Sequence, residues 1–426
     1  MQKPLYPGDT QANGQQTTLG VMGGGQLGRM FVQAAQRMGY FTAVLDPDTA
    51  SPAGRVSHYH IQTAYDDEQG LAQLMQRCAA ITTEFENVPA PALHTLGAHR
   101  PVAPHADSVA VAQDRSLEKA HFVNAALAAK AAGQADTVMP APYRVIESEA
   151  DLAKVTADLL PGILKTSRMG YDGKGQARVA NAAELATAWA DLKGVACVLE
   201  KMLPLAAECS VIVARGADGA MVHLPVQFNI HRDGILAVTE VYSDLGSDLA
   251  GGIPANTQFP AHFEKNWANV TVKRALSAAQ NIANELNYIG VLCVEFFILA
   301  DGSLVVNEMA PRPHNSGHYS MDACTVSQFD LQVYALCGLP LPQPRLHSAA
   351  VMVNLLGDVW FNAAGKERTP AWGDVLALPG THLHLYGKLS ARKGRKMGHL
   401  NVVGADAAQV KATALQAAAL LGIALW

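Results

Sequence analysis

Between Val291 and Glu308 the chain reads Val-Leu-Cys-Val-Glu-Phe-Phe-Ile-Leu-Ala-Asp-Gly-Ser-Leu-Val-Val-Asn-Glu, two β-rich runs around Asp301-Gly302. Asp-Gly between such runs is the strongest short-range signal for a tight hairpin. A two-residue turn fixes the pairing: Ala300 with Ser303, Leu299 with Leu304, Phe297 with Val306, and Glu295 with Glu308. The two carboxylates then face each other with Cβ atoms roughly 5 Å apart, on one face with Phe297, Leu299, Leu304 and Val306. Like charges opposed on an apolar face are destabilising unless something neutralises them. A hard cation such as Mg²⁺ does so through oxygen ligands, and Asn307 beside the pair offers one more. The bland alternative is a solvent-facing hairpin end with both glutamates in water. This segment alone does not separate the two.

The chain has 426 residues, 49% of them hydrophobic, enough for two or three domains with buried cores. A net charge of −5 and only 6% aromatics argue against a broad nucleic-acid surface. The cysteines at 78, 197, 209, 293, 324 and 337 show no Cys-x-x-Cys spacing, against a zinc site or a disulfide framework and in keeping with a reducing cytosol. Residues 1–17 are polar and Pro/Gly-rich, without the pattern of a signal peptide, and are expected to be a disordered extension. The longest apolar run, from Ala417 onward, is too short to span a bilayer, so no membrane association is expected.

From Thr18 strand and helix alternate: strands at Thr18–Met22, Phe41–Leu45 and Ala80–Thr83, with a helix from the glycine-rich turn to about Met38. This rhythm predicts an α/β domain with a parallel sheet, residues 18–114. A helix over Ser116–Ala129 and a loop at 130–139 lead into strands at Tyr143–Ile146, Gly162–Thr166 and Ala196–Lys201. A helix near 269–286 precedes the hairpin. The middle domain, 115–343, reads as α+β with a smaller subdomain at about 140–213, and Gly338–Pro344 marks its end. A small β-rich C-terminal domain, 344–426, follows.

Several motifs could carry chemistry. Gly23-x-Gly25-x-x-Gly28 between a strand and a helix fits a phosphate-binding turn, and Asp46 mimics the ribose-binding acid of dinucleotide enzymes; tight packing explains the glycines almost as well. Arg168 to Gln176 is a second glycine-rich segment, after the strand that bears Lys165. It reads as a flap over phosphate or as a plain hairpin turn. After Glu308, the run Met-Ala-Pro-Arg312-Pro-His314-Asn315-Ser316-Gly317-His318 presents a cation, an imidazole and an amide on a stiff loop. Lys388 and Arg392 to Lys396 form a basic cluster, either a solvated face or a phosphate seat. A flap, a lysine, paired carboxylates and a cationic loop together describe phosphoryl transfer.

The segments at 24–29, 170–176, 307–318 and 394–399 give the chain its resemblance to the ATP-grasp carboxylate-amine ligases, within them the branch that carboxylates an aminoimidazole ribonucleotide. The resemblance covers Thr18 to near Trp426 and implies a preATP-grasp domain, a two-subdomain ATP-grasp domain and a C-terminal domain. It implies ATP as co-substrate, bound by Arg115, Lys165, the lid Gly170-Tyr171-Asp172-Gly173-Lys174-Gly175-Gln176, the hinge Glu200-Lys201-Met202-Leu203, Glu208, His231, Asn307 and Glu308. Mg²⁺ would sit on Glu295 and Glu308. Tyr171, Arg312, His314, Asn315 and Lys388 would surround bicarbonate, and Gln26, Leu27, Glu86, Lys388 and Arg395 would meet 5-aminoimidazole ribonucleotide. The family also implies a cytoplasmic homodimer. Met169 stands where relatives commonly carry glycine, the 130–139 loop is longer than expected, and the extension before Thr18 has no counterpart. A sister ATP-grasp ligase, such as formate-dependent glycinamide ribonucleotide formyltransferase or biotin carboxylase, is the nearest alternative. A nicotinamide-dependent oxidoreductase and a non-catalytic nucleotide-binding regulator are the others.

Overall fold

The computed structural model describes residues 3–11, 14–170, 175–241 and 265–424, with side chains in the last segment described from residue 270. Strands β1 (Thr18–Met22), β2 (Phe41–Leu45), β3 (Tyr59–Ile61) and β4 (Ala80–Thr83) form a parallel sheet in the order β3-β2-β1-β4. All five residues of β1 are buried, as a central parallel strand requires. The helix Gln26–Arg37 starts at the glycine turn, but the turn's N–H groups are already taken. Gly24 N–H donates to Asp46 Oδ2 at 2.7 Å, and Gly25 and Gly28 donate to the two Glu84 oxygens at 2.6 and 3.0 Å. Asp46 Oδ2 also accepts from Tyr65 Oη at 2.6 Å. The carboxylates therefore occupy the place a pyrophosphate would need, and Asp46 is spent on structure. This removes the basis of the dinucleotide reading.

A second, four-stranded sheet comprises β5 (Tyr143–Ile146), β6 (Gly162–Thr166), β7 (Gln176–Val179) and β8 (Cys197–Lys201), in the order β5-β8-β6-β7. The small subdomain ends there. The next strand, β9 (Leu205–Arg215), crosses into a nine-stranded sheet, so the expected limit near 213 is too late. That sheet adds β10 (Met221–His223), β11 (Gln227–Arg232), β12 (Ile235–Val241), β13 (Gly290–Leu299), β14 (Leu304–Ala310), β15 (Ala349–Leu356), β16 (Thr381–Leu385) and β17 (Lys396–Gly404). Its order is β14-β13-β9-β11-β12-β15-β17-β16, with β10 on β9. The C-terminal strands thus continue the central sheet through β12–β15 pairing. On one face the helices Arg115–Ala131 and Lys265–Glu285 bury Phe122, Ala279, Ile282, Phe296 and Val306 in a common core. The helix Gln328–Leu336 joins this body to the first sheet through Phe329 and Val333, and Asp330 pairs with Arg37. Among the described residues no helix is long and apolar enough to cross a membrane.

Two expectations need correction. The extension before Thr18 was expected to be disordered, yet Leu5 N–H donates to Cys337 O at 2.9 Å and Tyr40 Oη donates to Leu5 O at 2.6 Å. A buried tyrosine that needs an acceptor supplies the reason. The hairpin turn is also longer than two residues. Leu299 N–H bonds Ser303 O at 2.9 Å and Gly302 N–H bonds Leu299 O at 2.9 Å, leaving Ala300-Asp301-Gly302 as a three-residue loop with Gly302 at φ 82°. Asp301 Oδ1 secures it by accepting from Ser303 N and Oγ. The pairing becomes Ile298 with Leu304, Phe297 with Val305 and Phe296 with Val306.

Replacing Glu84 by alanine strips two N–H groups of their charged acceptor at a helix start. Stability should fall by about 2 kcal/mol. Urea unfolding of Glu84→Ala checks this, and an unchanged midpoint contradicts the assignment.

Candidate active site

A cleft of about 630 Å³ lies between the small sheet and the nine-stranded sheet. Lys165, Glu200 and Met202 face it from one side, and Glu208, His231, Glu295 and Glu308 from the other. Glu86 reaches it from the first domain and Lys396 from β17.

The carboxylate pair reaches the cleft by a route the simple register misses. Beyond Phe296–Val306 the pairing resumes at Val294–Met309 and Cys293–Ala310. Two residues, Asn307 and Glu308, therefore stand opposite the single residue Glu295. This is a β-bulge. On the turn side, Phe296, Ile298, Leu304 and Val306 point into the core, while Phe297 and Glu295 face the cleft. Strict alternation would send Glu308 into the core with Val306. The extra residue turns it back to join Glu295.

The electrostatics fit an unneutralised pair. Burial, and then the Glu308 charge, push the Glu295 carboxyl above its ordinary range. Burial also raises Glu308, but Arg115, Lys165 and Lys119 outweigh it and hold Glu308 ionised. Arg115 Nη1 lies 3.3 Å from Glu308 Oε2. The Asn307 Oδ1 atom is buried without a hydrogen-bond partner among the described residues.

Glu200 is the hub of the nucleotide side. Lys165 Nζ sits 3.1 Å from one of its oxygens and Lys119 Nζ 3.3 Å from the other. Burial alone would raise this carboxyl; the two lysines override it and hold it at about 2. Burial lowers the Lys165 pKa, with Glu200 opposing. Lys201, Met202 and Leu203 follow along the cleft wall. Opposite them Glu208 and His231 form an ion pair.

In the loop after Glu308, Arg312 Nε donates to Glu86 Oε2 at 2.6 Å. Ser316 N–H, which can only donate, faces His314 Nδ1, so the proton sits on Nε2, 3.0 Å from Glu295 Oε1. Burial and the Arg312 charge keep His314 neutral. Both amide atoms of Asn315 are buried without a partner among the described residues. His318 lies away from the cleft, buried with its ring tilted against that of His399, centroids 4.6 Å apart.

Other expected residues sit elsewhere. Tyr171, Asp172, Gly173 and Lys174 lie outside the described residues. Gly170 and Gln176 line the cleft, and Gly175 takes φ 71°. Met169 takes φ 61°, a glycine-like conformation that costs a side-chain-bearing residue about 1 kcal/mol. Lys388 does not line the main cleft. It faces a separate pocket with Trp360 and Arg368, and its Nζ donates to Lys396 O at 2.6 Å. Burial and Arg395 lower its pKa to about 8. Arg395 itself bonds Ser390. Gln26 and Leu27 open the first helix and are not among the cleft residues. Glu84, Glu118 and Lys119 carry no signal of their own in the sequence; Glu118 and Lys119 lie one helical turn after Arg115 on the same helix, the one hint available.

Three matched domains account for this architecture. The ATP-grasp domain profile matches residues 131–329, the ribonucleotide synthetase preATP-grasp domain profile 16–113, and the phosphoribosylaminoimidazole carboxylase C-terminal domain profile 350–413. Fold and cleft are therefore those of an ATP-grasp ligase. The chain is 39% identical over 387 residues to the N5-carboxyaminoimidazole ribonucleotide synthase of Brucella melitensis biotype 1, covering 90% of this chain and 95% of that one. The Bacillus subtilis enzyme of the same name is 37% identical over 397 residues, with 93% and 92% covered. Among solved structures, the ADP complex of Staphylococcus aureus N5-carboxyaminoimidazole synthetase superposes with a TM-score of 0.79 at 35% identity, over 97% of this chain and 98% of that one. The Aspergillus clavatus N5-carboxyaminoimidazole synthase with ADP and 5-aminoimidazole ribonucleotide gives 0.77 at 27% identity, over 96% and 99%. The chain belongs to the N5-carboxyaminoimidazole ribonucleotide synthase family.

Burial lowers the His231 pKa, but the hydrogen bond and charge of Glu208 outweigh it, with Glu295 and Glu308 adding, so the value is raised. The pair therefore stabilises the fold fully below the unfolded value of about 6.5, and this contribution is lost as pH rises through the raised folded value. Glu208→Gln should lower the His231 titration midpoint, read by imidazole NMR. An unmoved midpoint contradicts the pairing.

Proposed function

We infer that the chain carboxylates 5-aminoimidazole ribonucleotide with bicarbonate and ATP, giving 5-(carboxyamino)imidazole ribonucleotide, ADP and phosphate in purine biosynthesis. One observation carries the reading: the Glu295/Glu308 pair and the Arg312, His314 and Asn315 loop share a cleft with the nucleotide-side lysines. The relatives' complexes with ADP and with 5-aminoimidazole ribonucleotide support it.

The donor set fits Mg²⁺: two facing carboxylates, one with a raised pKa, and a buried amide oxygen without a partner among the described residues. Glu295 and Glu308 would hold the ion, which supplies charge neutralisation for the transferring phosphoryl group. Arg115 and Lys165 hold the nucleotide phosphates, the Glu200 to Leu203 segment its base, and Glu208 and His231 its sugar side. Arg312, His314, Asn315 and Tyr171 position bicarbonate, and the family resemblance adds Lys388 to them. A bicarbonate oxygen attacks the γ-phosphorus as its bond to ADP breaks, forming carboxyphosphate. The 170–176 segment keeps water out. The substrate amine then attacks the carboxyl carbon, phosphate leaves with its bonding electrons, and the nitrogen loses a proton. Gln26, Leu27, Glu86, Lys388 and Arg395 hold the ribonucleotide. The family resemblance supports a cytoplasmic homodimer.

ADP release with Mg-ATP and bicarbonate should require 5-aminoimidazole ribonucleotide. Release only with glycinamide ribonucleotide and formate would move the chain to the sister reaction. Glu295→Gln and Glu308→Gln should each lose at least about 100-fold in turnover while melting near the parent temperature. Full activity in both would sink the metal assignment.

A further inference from the structure

We propose that Glu118 and Lys119 are positioning residues that hold the β14 bulge in place and thereby aim Glu308 into the cleft. They are consecutive on the Arg115–Ala131 helix, which packs against the core face behind the bulge. Lys119 Nζ donates to the carbonyl of Asn307 at 2.7 Å, one residue before Glu308. The N–H of Met309, one residue after it, donates to Glu118 Oε1 at 2.7 Å. The helix thus grips the backbone on both sides of the carboxylate.

A bulge disrupts the ladder and leaves main-chain groups without strand partners, and those groups must be paired when buried. Glu118 and Lys119 pair them. Their side chains are among the least exposed charged groups, at 3% and 0% for the residues. Burying two charges is costly, and an apolar pair would usually serve stability at least as well. An apolar pair could neither accept from Met309 nor donate to Asn307. Lys119 also touches Glu200, whose other oxygen is held by Lys165, so one contact path joins strand β8 to the bulge.

The inference rests on Glu308 as a metal ligand, and the test separates the two. Calorimetry would measure ADP binding with and without Mg²⁺ for the parent, Glu118→Leu, Glu118→Gln, Lys119→Met and Glu308→Gln. The set also includes Glu118→Leu and Lys119→Met combined with Glu308→Gln. Glu118→Leu and Lys119→Met should weaken Mg-ADP binding about tenfold or more, as loss of a ligand's supporting partner does. Binding of ADP without Mg²⁺ should change far less in Glu118→Leu, whereas Lys119→Met, which also releases one oxygen of Glu200, should lower it too. Glu118→Gln keeps an acceptor for Met309 N–H and should recover most of the loss. In the Glu308→Gln background Glu118→Leu should add nothing, and Lys119→Met only its Mg²⁺-independent part. For Glu118→Leu, equal losses with and without Mg²⁺, or for either variant full additivity with Glu308→Gln, would overturn the proposal in favour of a merely structural pair. Should Lys119→Met fail to fold, the Glu118→Leu and Glu118→Gln comparison decides. A Glu308→Gln variant with unchanged Mg-ADP affinity would overturn the metal reading itself, and this proposal with it.

Discussion

Two carboxylates held in one cleft repel each other, and much of the surrounding architecture manages that repulsion. Glu295 comes from a strand where Val294, Phe296 and Ile298 enter the helix-backed core while Phe297 and Leu299 face the cleft with it. Glu308 reaches the same cleft only because one extra residue in β14 reverses its side. The cations around the pair are unevenly shared. Arg115, Lys165 and Lys119 act on Glu308, whereas Glu295 faces a neutral imidazole. This imbalance leaves Glu308 ionised and Glu295 raised.

The nucleotide side follows a different logic. Glu200 is a buried anion with a lysine on each oxygen, one from the neighbouring strand and one from the Arg115–Ala131 helix. Such a triad fixes lysine direction more than it adds stability, because desolvation consumes most of the attraction. It joins the small sheet to the helix behind the large one, where the cleft opens.

The legible parts of the sequence were those with strong local rules. Strand–helix alternation gave the parallel sheet, and residue chemistry singled out Glu295, Glu308 and the Arg312–Asn315 loop. Register was misread because Asp301-Gly302 suits both a two-residue turn and a three-residue loop, and the choice shifts every pair. The three-residue turn and the bulge offset each other for the two glutamates, so Glu295 and Glu308 still share the cleft although their neighbours on the strands change faces. Nothing local announces that Asp46 and Glu84 will cap the glycine turn, since those bonds span 22 and 59 residues. Lys119 and Glu118 read as ordinary helix charges; only the strand behind them makes them special. The basic run at Lys388 and Arg392–Lys396 stayed open between a solvated face and a phosphate seat on charge alone; in the fold Lys388 and Arg395 each hold a main-chain carbonyl, Lys396 O and Ser390 O, contacts that no local pattern signals.

The central claim is that Glu295 and Glu308 together hold a divalent ion beside the nucleotide phosphates. Anomalous diffraction from crystals grown with Mn²⁺ and ADP tests it most directly. The account expects a manganese peak within bonding distance of both carboxylates. A peak bound by nucleotide phosphates alone, with both glutamates out of reach, would contradict it.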